Sequence, residues 1–326
     1  MNPRIAVILL VLLIPNNATA QQLDLVTQWA ATASYELHFA PNIVYRKVGS
    51  VDLMLDVISA EQSVRPVLIY FHGGGWVVGN KDDVLLKGLP YLARGMDFVD
   101  VEYRVANQAL APAAVEDCRC ALHWVAQHAE KYGFDKSKIV VAGESAGAHL
   151  ALMTGMVNVT SGFDRECERP SDKRGPGSVA EIRVAAIIDF YGVTDLAEFL
   201  RPPNPANSAV RWFGNLPNRM ELAKQLSPLS YARRDLPPIL IVHGNKDSIV
   251  PYQQAVRLHE ALEGVGARSE FTTIEGGGHG STPPFAWTSD QDLRAQEAAF
   301  NFLEEFGILQ RSSSNIRRKS QTDAAK

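Results

Sequence analysis

The sequence predicts one wrapped α/β domain: a mostly parallel central sheet with helices on both faces and a small cap. Two observations carry that expectation. Short runs that are apolar at every position recur along the chain, as strands covered on both faces require. Between them lie longer segments whose apolar residues return every three or four positions, the period of a helix with one buried face. Strand and helix alternating in this way build a layered sheet with right-handed crossovers.

In chain order, Val67–Phe71 follows Pro66 and runs into a triple glycine, so it reads as a strand ended by a tight turn. Pro112–Lys131 reads as a helix in which Val115, Cys118, Leu122 and Val125 share a face, while Glu116, Asp117 and Arg119 point elsewhere. Ile139–Ala142 is a second strand, which gives way after Gly143 to the mostly apolar Ala148–Met156. Val184–Ile188 and Ile239–Val242 repeat the strand form, and Phe271–Ile274 is strand-like. Gln291–Phe306 reads as a closing helix with Leu293, Ala299, Phe300 and Leu303 on its inner side. Two stretches interrupt the rhythm. Gly162–Val179 is polar and rich in breakers, the pattern of an exposed loop or insertion. Leu196–Leu236 is studded with Pro and Asn yet holds Phe199, Leu200, Trp212 and Phe213, and reads as a lid over a pocket or as a peripheral helix pair.

The chain has 326 residues, 46% hydrophobic, 21% charged and 8% aromatic, which excludes disordered, collagen-like and coiled-coil classes. Residues 1–20 have the layout of a secretory signal peptide: Arg4, the apolar run Ile5–Ile14, the breaker Pro15-Asn16-Asn17, then the small residues Ala18-Thr19-Ala20. An apolar run of this length crosses about half of a ~30 Å hydrocarbon core, so cleavage after Ala20 and a secreted or periplasmic product are expected, with no stable membrane anchor. The expected organisation is a leader over 1–20, a folded domain over 21–310 and a disordered basic tail over 311–326. Of 32 basic and 36 acidic residues, Arg4 is the only one in the leader, and the tail holds five basic residues against Asp323. The body therefore keeps 26 basic against 35 acidic residues, a net charge of −9 that a phosphate backbone would repel, and no nucleic-acid partner is expected.

Export permits disulfides. Cys118 and Cys120 lie two apart on a helical stretch and point to different sides, which leaves a bridge from Cys167 to either. Three buried free thiols are the favoured expectation, because a core of this size needs no staple. Neither a Cys/His zinc spacing nor a His-Glu-x-x-His pattern occurs, so no metal and no cofactor are expected.

Gly143-Glu144-Ser145-Ala146-Gly147 falls between a buried strand and a helix. A serine on so sharp a turn adopts a strained backbone, and glycine on either side removes the colliding Cβ and exposes the hydroxyl. A serine hydroxyl needs a base to become a nucleophile, and the base needs an orienting carboxylate. His279, after the strand Phe271–Ile274, and Asp247, after Ile239–Val242, lie at strand carboxyl ends as Ser145 does, the edge where sites on such sheets form. Phe71-His72-Gly73-Gly74-Gly75-Trp76 ends another strand. Its side-chain-free amides suit an oxyanion, so Gly73 and Gly74 are expected donors with the N–H of Ala146 as a third, and His72 braces the loop. Trp76 is a candidate for the substrate wall.

These segments resemble the α/β-hydrolase superfamily, and within it the HGGG-type esterases and lipases similar to hormone-sensitive lipase. The resemblance is carried by HGGGW (72–76), EYR (102–104), PAAVED (112–117), GESAG (143–147), DFYGVTDL (189–196), HGNKDSIVP (243–251) and GGGHG (276–280), and spans nearly all of residues 45–309. It implies a Ser145–Asp247–His279 triad and hydrolysis of small-molecule carboxylic esters. HGGGW is also similar to the HGGxW of bacterial esterases, feruloyl esterases and kynurenine formamidases; an amidase, kynurenine-formamidase-like or a serine peptidase, is the alternative activity, with a non-catalytic binding protein behind it. Asp195 is the competing acid.

Overall fold

In the computed structural model of the protein the described residues are 37–60, 63–167, 182–201, 203, 206–280 and 286–311. The leader, the basic tail from residue 312 and most of the polar loop 162–179 lie outside them. Among the described residues there are eight strands; four contain apolar runs named above, and a fifth, β6, takes in the last three residues of Val184–Ile188. In chain order the strands are β1 (Leu37–Val48), β2 (Val51–Ala60), β3 (Arg65–Phe71), β4 (Asp97–Val101), β5 (Phe134–Glu144), β6 (Ala186–Phe190), β7 (Ile239–Gly244) and β8 (Ser269–Ile274). They form one sheet in the order β1-β2-β4-β3-β5-β6-β7-β8, antiparallel from β1 to β4 and parallel from β4 to β8. Every residue of β4, β6 and β7 is buried, as a strand sandwiched between helical layers must be.

The principal helices are α1 (Leu85–Ala93), α2 (Ala113–Gln127), α3 (Ala146–Met156), α4 (Leu196–Phe199), α5 (Asn207–Phe213), α6 (Arg219–Gln225), α7 (Gln253–Gly264) and α8 (Ser289–Glu305). None in the described residues is long and apolar enough to cross a membrane. The α8 face differs from expectation. Ala295, Ala299, Phe302 and Leu303 are its buried side, and Leu293 is 57% exposed. Likewise Val184 and Ala185 precede β6, although Val184 is buried and Ala185 N–H donates to Ile139 O at 2.6 Å.

In α2 two of the three residues expected to face away, Asp117 and Arg119, are themselves buried, because each finds an ionic partner, while Glu116 is half-buried. Asp117 receives both arms of Arg104, Nε–Oδ2 and Nη2–Oδ1 each at 2.8 Å, and Arg46 adds a contact at 2.6 Å. Burying a charge is tolerable only when it is paired and hydrogen-bonded in this way. The pairing explains why EYR and PAAVED occur together: Arg104 of one holds Asp117 of the other. Arg119 grips Asp164, Nε–Oδ1 at 2.6 Å, which draws the turn Phe163–Cys167 against the helix.

That turn overturns the expectation of three free thiols. Cys120 and Cys167 form a disulfide, their Cα atoms 4.9 Å apart and 47 residues apart in sequence, while Cys118 stays buried and free. The Arg119–Asp164 pair brings the two sulfurs together, an ion pair that spacing alone does not display. Closing a loop of this length restricts the unfolded chain by on the order of 4 kcal/mol. The start of the polar loop is therefore only partly exposed: Asp164 and Cys167 are buried, while Arg165 and Glu166 between them face solvent.

The segment 196–236 divides its work. Trp212 and Phe213 pack wholly inside, while Phe199 and Ser208 reach the wall of the cavity at Ser145.

Candidate active site

Ser145 sits between β5 and α3 with φ 56° and ψ −119°, a left-handed conformation costing on the order of 1–3 kcal/mol. Its N–H donates to Phe190 O at 2.9 Å, which ties the strained turn to β6. The two flanking glycines are steric necessities. A Cβ at Gly143 would lie 2.4 Å from the carbonyl carbon of Gly147, and one at Gly147 would lie 2.0 Å from Phe71 O.

The loops after β7 and β8 bring Asp247 and His279 to this serine. His279 Nε2 stands 2.9 Å from Ser145 Oγ, and Nδ1 stands 2.7 Å from Asp247 Oδ2. With Nδ1–H donating to the carboxylate, Nε2 is left to accept the hydroxyl proton. Asp247 Oδ1 accepts from the N–H groups of Ile249 and Val250 at 2.8 and 2.9 Å, so the carboxylate cannot rotate freely. Burial acts to raise the Asp247 pKa, but the imidazoles of His243 and His279 outweigh it and hold the carboxyl well below its usual range. His243 contributes from behind, its Nε2 3.3 Å from Asp247 Oδ2 and 2.9 Å from Val250 O. Asp195, the competing acid, caps α4 by accepting from Glu198 N and pairs with Arg257 at 3.3 Å; the acid on His279 is Asp247.

The glycine loop after β3 is anchored by its carbonyls. His72 Nδ1–H donates to Gly73 O at 2.7 Å, Tyr103 Oη donates to His72 O at 2.7 Å, and Val77 and Val78 N–H both reach Gly74 O at 3.1 Å. His72 stacks on Tyr103 with centroids 4.1 Å apart, and burial lowers its pKa, so the ring stays neutral as a brace should. Gly74 has φ +105°, and a Cβ there would lie 2.0 Å from Val78 O. Trp76 is 1% exposed and lines the cavity from beneath, stacked on Trp212. Its Nε1–H donates to His149 Nδ1 at 3.1 Å, and His149 Nε2–H donates to Leu226 O at 2.7 Å. Burial takes the His149 pKa down to about 4, which keeps it in the neutral form that this chain of bonds needs.

Gly73, Gly74, Trp76, Ser145, Ala146 and His279 all open on one cavity of about 450 Å³. Val78, Val84, Val193, Phe199 and Ile249 make most of its wall apolar, and its charged members are Asp83 and Glu144. Such a chamber can hold a small apolar ester with its carbonyl at the hydroxyl and amides. Sequence reasoning missed Tyr191: it lies within DFYGVTDL, but nothing in that segment shows that its backbone takes a positive φ or that it lines the cavity. Among the described residues the one cluster of metal-ligand composition is His123, Asp164 and Cys167. It does not suit an ion, because the Cys167 sulfur is bonded to Cys120 and Asp164 is taken by Arg119.

Residues 52–262 match the family model BD-FAE. Esterase LipC of Mycobacterium tuberculosis is 30% identical over 225 residues, 66% of this chain and 53% of that protein. The chain spans about half the length of the first curated relatives it matches. Among solved structures, esterase Est2 of the planctomycete Thermogutta terrifontis superposes with a TM-score of 0.66 at 30% identity, covering 83% of this chain and 94% of that one. That esterase has also been solved with propionate bound and phosphorylated by paraoxon. A truncated carbohydrate esterase from gut microbiota superposes with a TM-score of 0.65 at 27% identity, covering 81% and 96%.

Proposed function

The chain belongs to the BD-FAE family and has the α/β-hydrolase fold, and on that premise we propose that it is an exported serine carboxylesterase acting on short-chain or aryl esters. The observation that carries the reading is the unbroken chain of hydrogen bonds from Asp247 through His279 to Ser145, opening on an apolar cavity. Ser145 Oγ attacks the ester carbonyl as its proton passes to His279 Nε2. The developing oxyanion takes the N–H groups of Gly73, Gly74 and Ala146, where the loss of one donor typically costs ~3 kcal/mol. The tetrahedral intermediate collapses, the carbon–oxygen bond to the alcohol breaks, and His279 returns the proton to the leaving oxygen. Water, deprotonated by the same imidazole, then cleaves the acyl-enzyme and restores Ser145. Asp247 holds the imidazole tautomer and stabilises its cation throughout.

Size and charge support the substrate class. A cavity of about 450 Å³ lies toward the small end of ligand sites, and the relative Est2 has been solved with propionate bound. Because Asp83 and Glu144 are the charged groups on the wall, a neutral ester suits it better than one bearing its own carboxylate. Run across p-nitrophenyl esters from acetate to palmitate, with methyl ferulate and acetylated xylan alongside, kcat/KM is expected to peak at short chains or at the aryl ester. A maximum on palmitate would contradict the size argument, and faster hydrolysis of N-formylkynurenine than of any ester would favour an amidase.

Export is supported by the leader-like residues 1–20 and by the Cys120–Cys167 disulfide, a bond that persists in oxidising compartments. N-terminal sequencing of the protein recovered from periplasm or medium is expected to begin at Gln21; an intact Met1 on cytoplasmic protein would overturn this.

A further inference from the structure

We infer that Tyr191 is a positioning residue for His279 and that Glu144 holds it in that role; the inference rests on the serine-esterase reading above. Tyr191 leaves the end of β6 with φ 48°, a left-handed conformation that an aromatic residue keeps only when its surroundings impose it. The backbone is pinned by its N–H, which donates to Val242 O at 2.8 Å. From there the ring meets the His279 imidazole edge to face, centroids 4.9 Å apart at 66°. Its hydroxyl donates to Glu144 Oε2 at 2.9 Å, and Lys87 Nζ lies 3.4 Å from the same oxygen.

Tyr191 thus links His279 to the residue that precedes its proton-transfer partner Ser145. Through its hydroxyl it holds the residue before Ser145, and through its ring it bears on His279. Ser145 and His279 come from separate loops, 134 residues apart in sequence, so their 2.9 Å separation depends on whatever keeps those loops in register. The histidine loop is shaped around this ring. Gly280 has φ +53°, and a Cβ on it would lie 2.0 Å from Tyr191 Cζ, so no larger residue fits after His279 while the ring is in place. Trp287 packs edge to face on Tyr191 at 5.1 Å and donates Nε1–H to Gly278 O at 2.9 Å, clamping the loop on the other side of the histidine in sequence. Glu144, Tyr191 and Gly280 belong to three of the sequence segments that carry the family resemblance, and none of the three is a member of the triad or an oxyanion donor. One contact network accounts for all of them.

A ring that only filled space would affect melting temperature and leave turnover alone. A positioning ring acts on kcat, because displacing reacting atoms by about 1 Å costs on the order of 100-fold. The test is steady-state kinetics on p-nitrophenyl butyrate for the wild type, Tyr191→Leu, Tyr191→Phe, Glu144→Ala and the double variant Tyr191→Phe/Glu144→Ala, with melting curves for each. Tyr191→Leu is expected to lower kcat about 100-fold with KM within about threefold of wild type. Tyr191→Phe, which keeps the ring and loses the hydroxyl, is expected to recover most of that loss. Because Tyr191→Phe and Glu144→Ala break the same bond, the double variant is expected to be no worse than the poorer single one. Where Tyr191→Leu does not fold, the cycle still tests the hold of Glu144 on Tyr191, without which the inference fails. Additive losses in the cycle, unchanged kcat in folded Tyr191→Leu, or a change in KM alone would each overturn the inference and leave the esterase reading intact. A wild-type chain inactive on every ester would overturn that reading, and this one with it.

Discussion

Ser145→Ala is expected to leave a folded protein whose kcat is lower by about 10⁶-fold, with no covalent capture of an organophosphate at this position. The size of the loss follows from the division of labour at the site. Alanine removes Oγ, so His279 Nε2 loses the partner at 2.9 Å and has no proton to take. The amides of Gly73, Gly74 and Ala146 remain, and residual hydrolysis by water of about 10³–10⁴-fold over background is what such a cradle sustains alone. Folding should survive, because the strained turn is held by Gly143, Gly147 and the bond from Ser145 N–H to Phe190 O, which the substitution keeps.

Asp247→Asn is expected to lower kcat by about 10⁴-fold while KM changes little. The loss comes from the imidazole tautomer. Asp247 Oδ2 accepts from His279 Nδ1 at 2.7 Å, and Oδ1 is already committed to the N–H groups of Ile249 and Val250. An amide in this place keeps its oxygen on those two donors and turns its NH₂ toward His279. The imidazole then accepts at Nδ1 and carries its proton on Nε2, where it can no longer act as base. His243, 3.3 Å from Oδ2, meets the same NH₂ and cannot restore the acceptor. Steady-state kinetics across pH check this: the loss should shrink as hydroxide takes over part of the base's work. If Asp247→Asn kept nearly full activity, the acid would have to be sought elsewhere, with Asp195 first.

The placement of the candidate site could be read from the sequence because each part stands where an apolar strand stops. Phe71, Ala142, Val242 and Ile274 each close such a run, and the glycine-rich turn or polar loop that follows carries Gly73 and Gly74, Ser145, Asp247 or His279. Elements without that signature were illegible. β4 reads Asp-Phe-Val-Asp-Val, and its two carboxylates hide a wholly buried strand. Asp97 accepts from Ala60 N at 3.1 Å, and burial raises the pKa of both Asp97 and Asp100 to about 7, so neither is an ordinary surface acid. The β1–β2 hairpin is only partly covered along β1 and shows no continuous apolar run.

Long-range pairings escaped for a related reason. The Cys120–Cys167 bond depends on Arg119 finding Asp164, and the ring contact of Tyr191 depends on a backbone turned to positive φ. Neither has a local period. The error at Leu293 is of another kind. A helical stripe fixes a face only to within a residue or two, and the buried side of α8 runs through Ala295 and Phe302.

The central claim is that Ser145 Oγ is the nucleophile. Its most direct test is to treat the wild type and Ser145→Ala with paraoxon and locate the adduct by peptide mass spectrometry. One diethylphosphoryl group on Ser145 of the wild type, activity lost in proportion to its occupancy, and no adduct at that site on the alanine variant are the results predicted. Full inactivation with the group on any other residue would contradict the account.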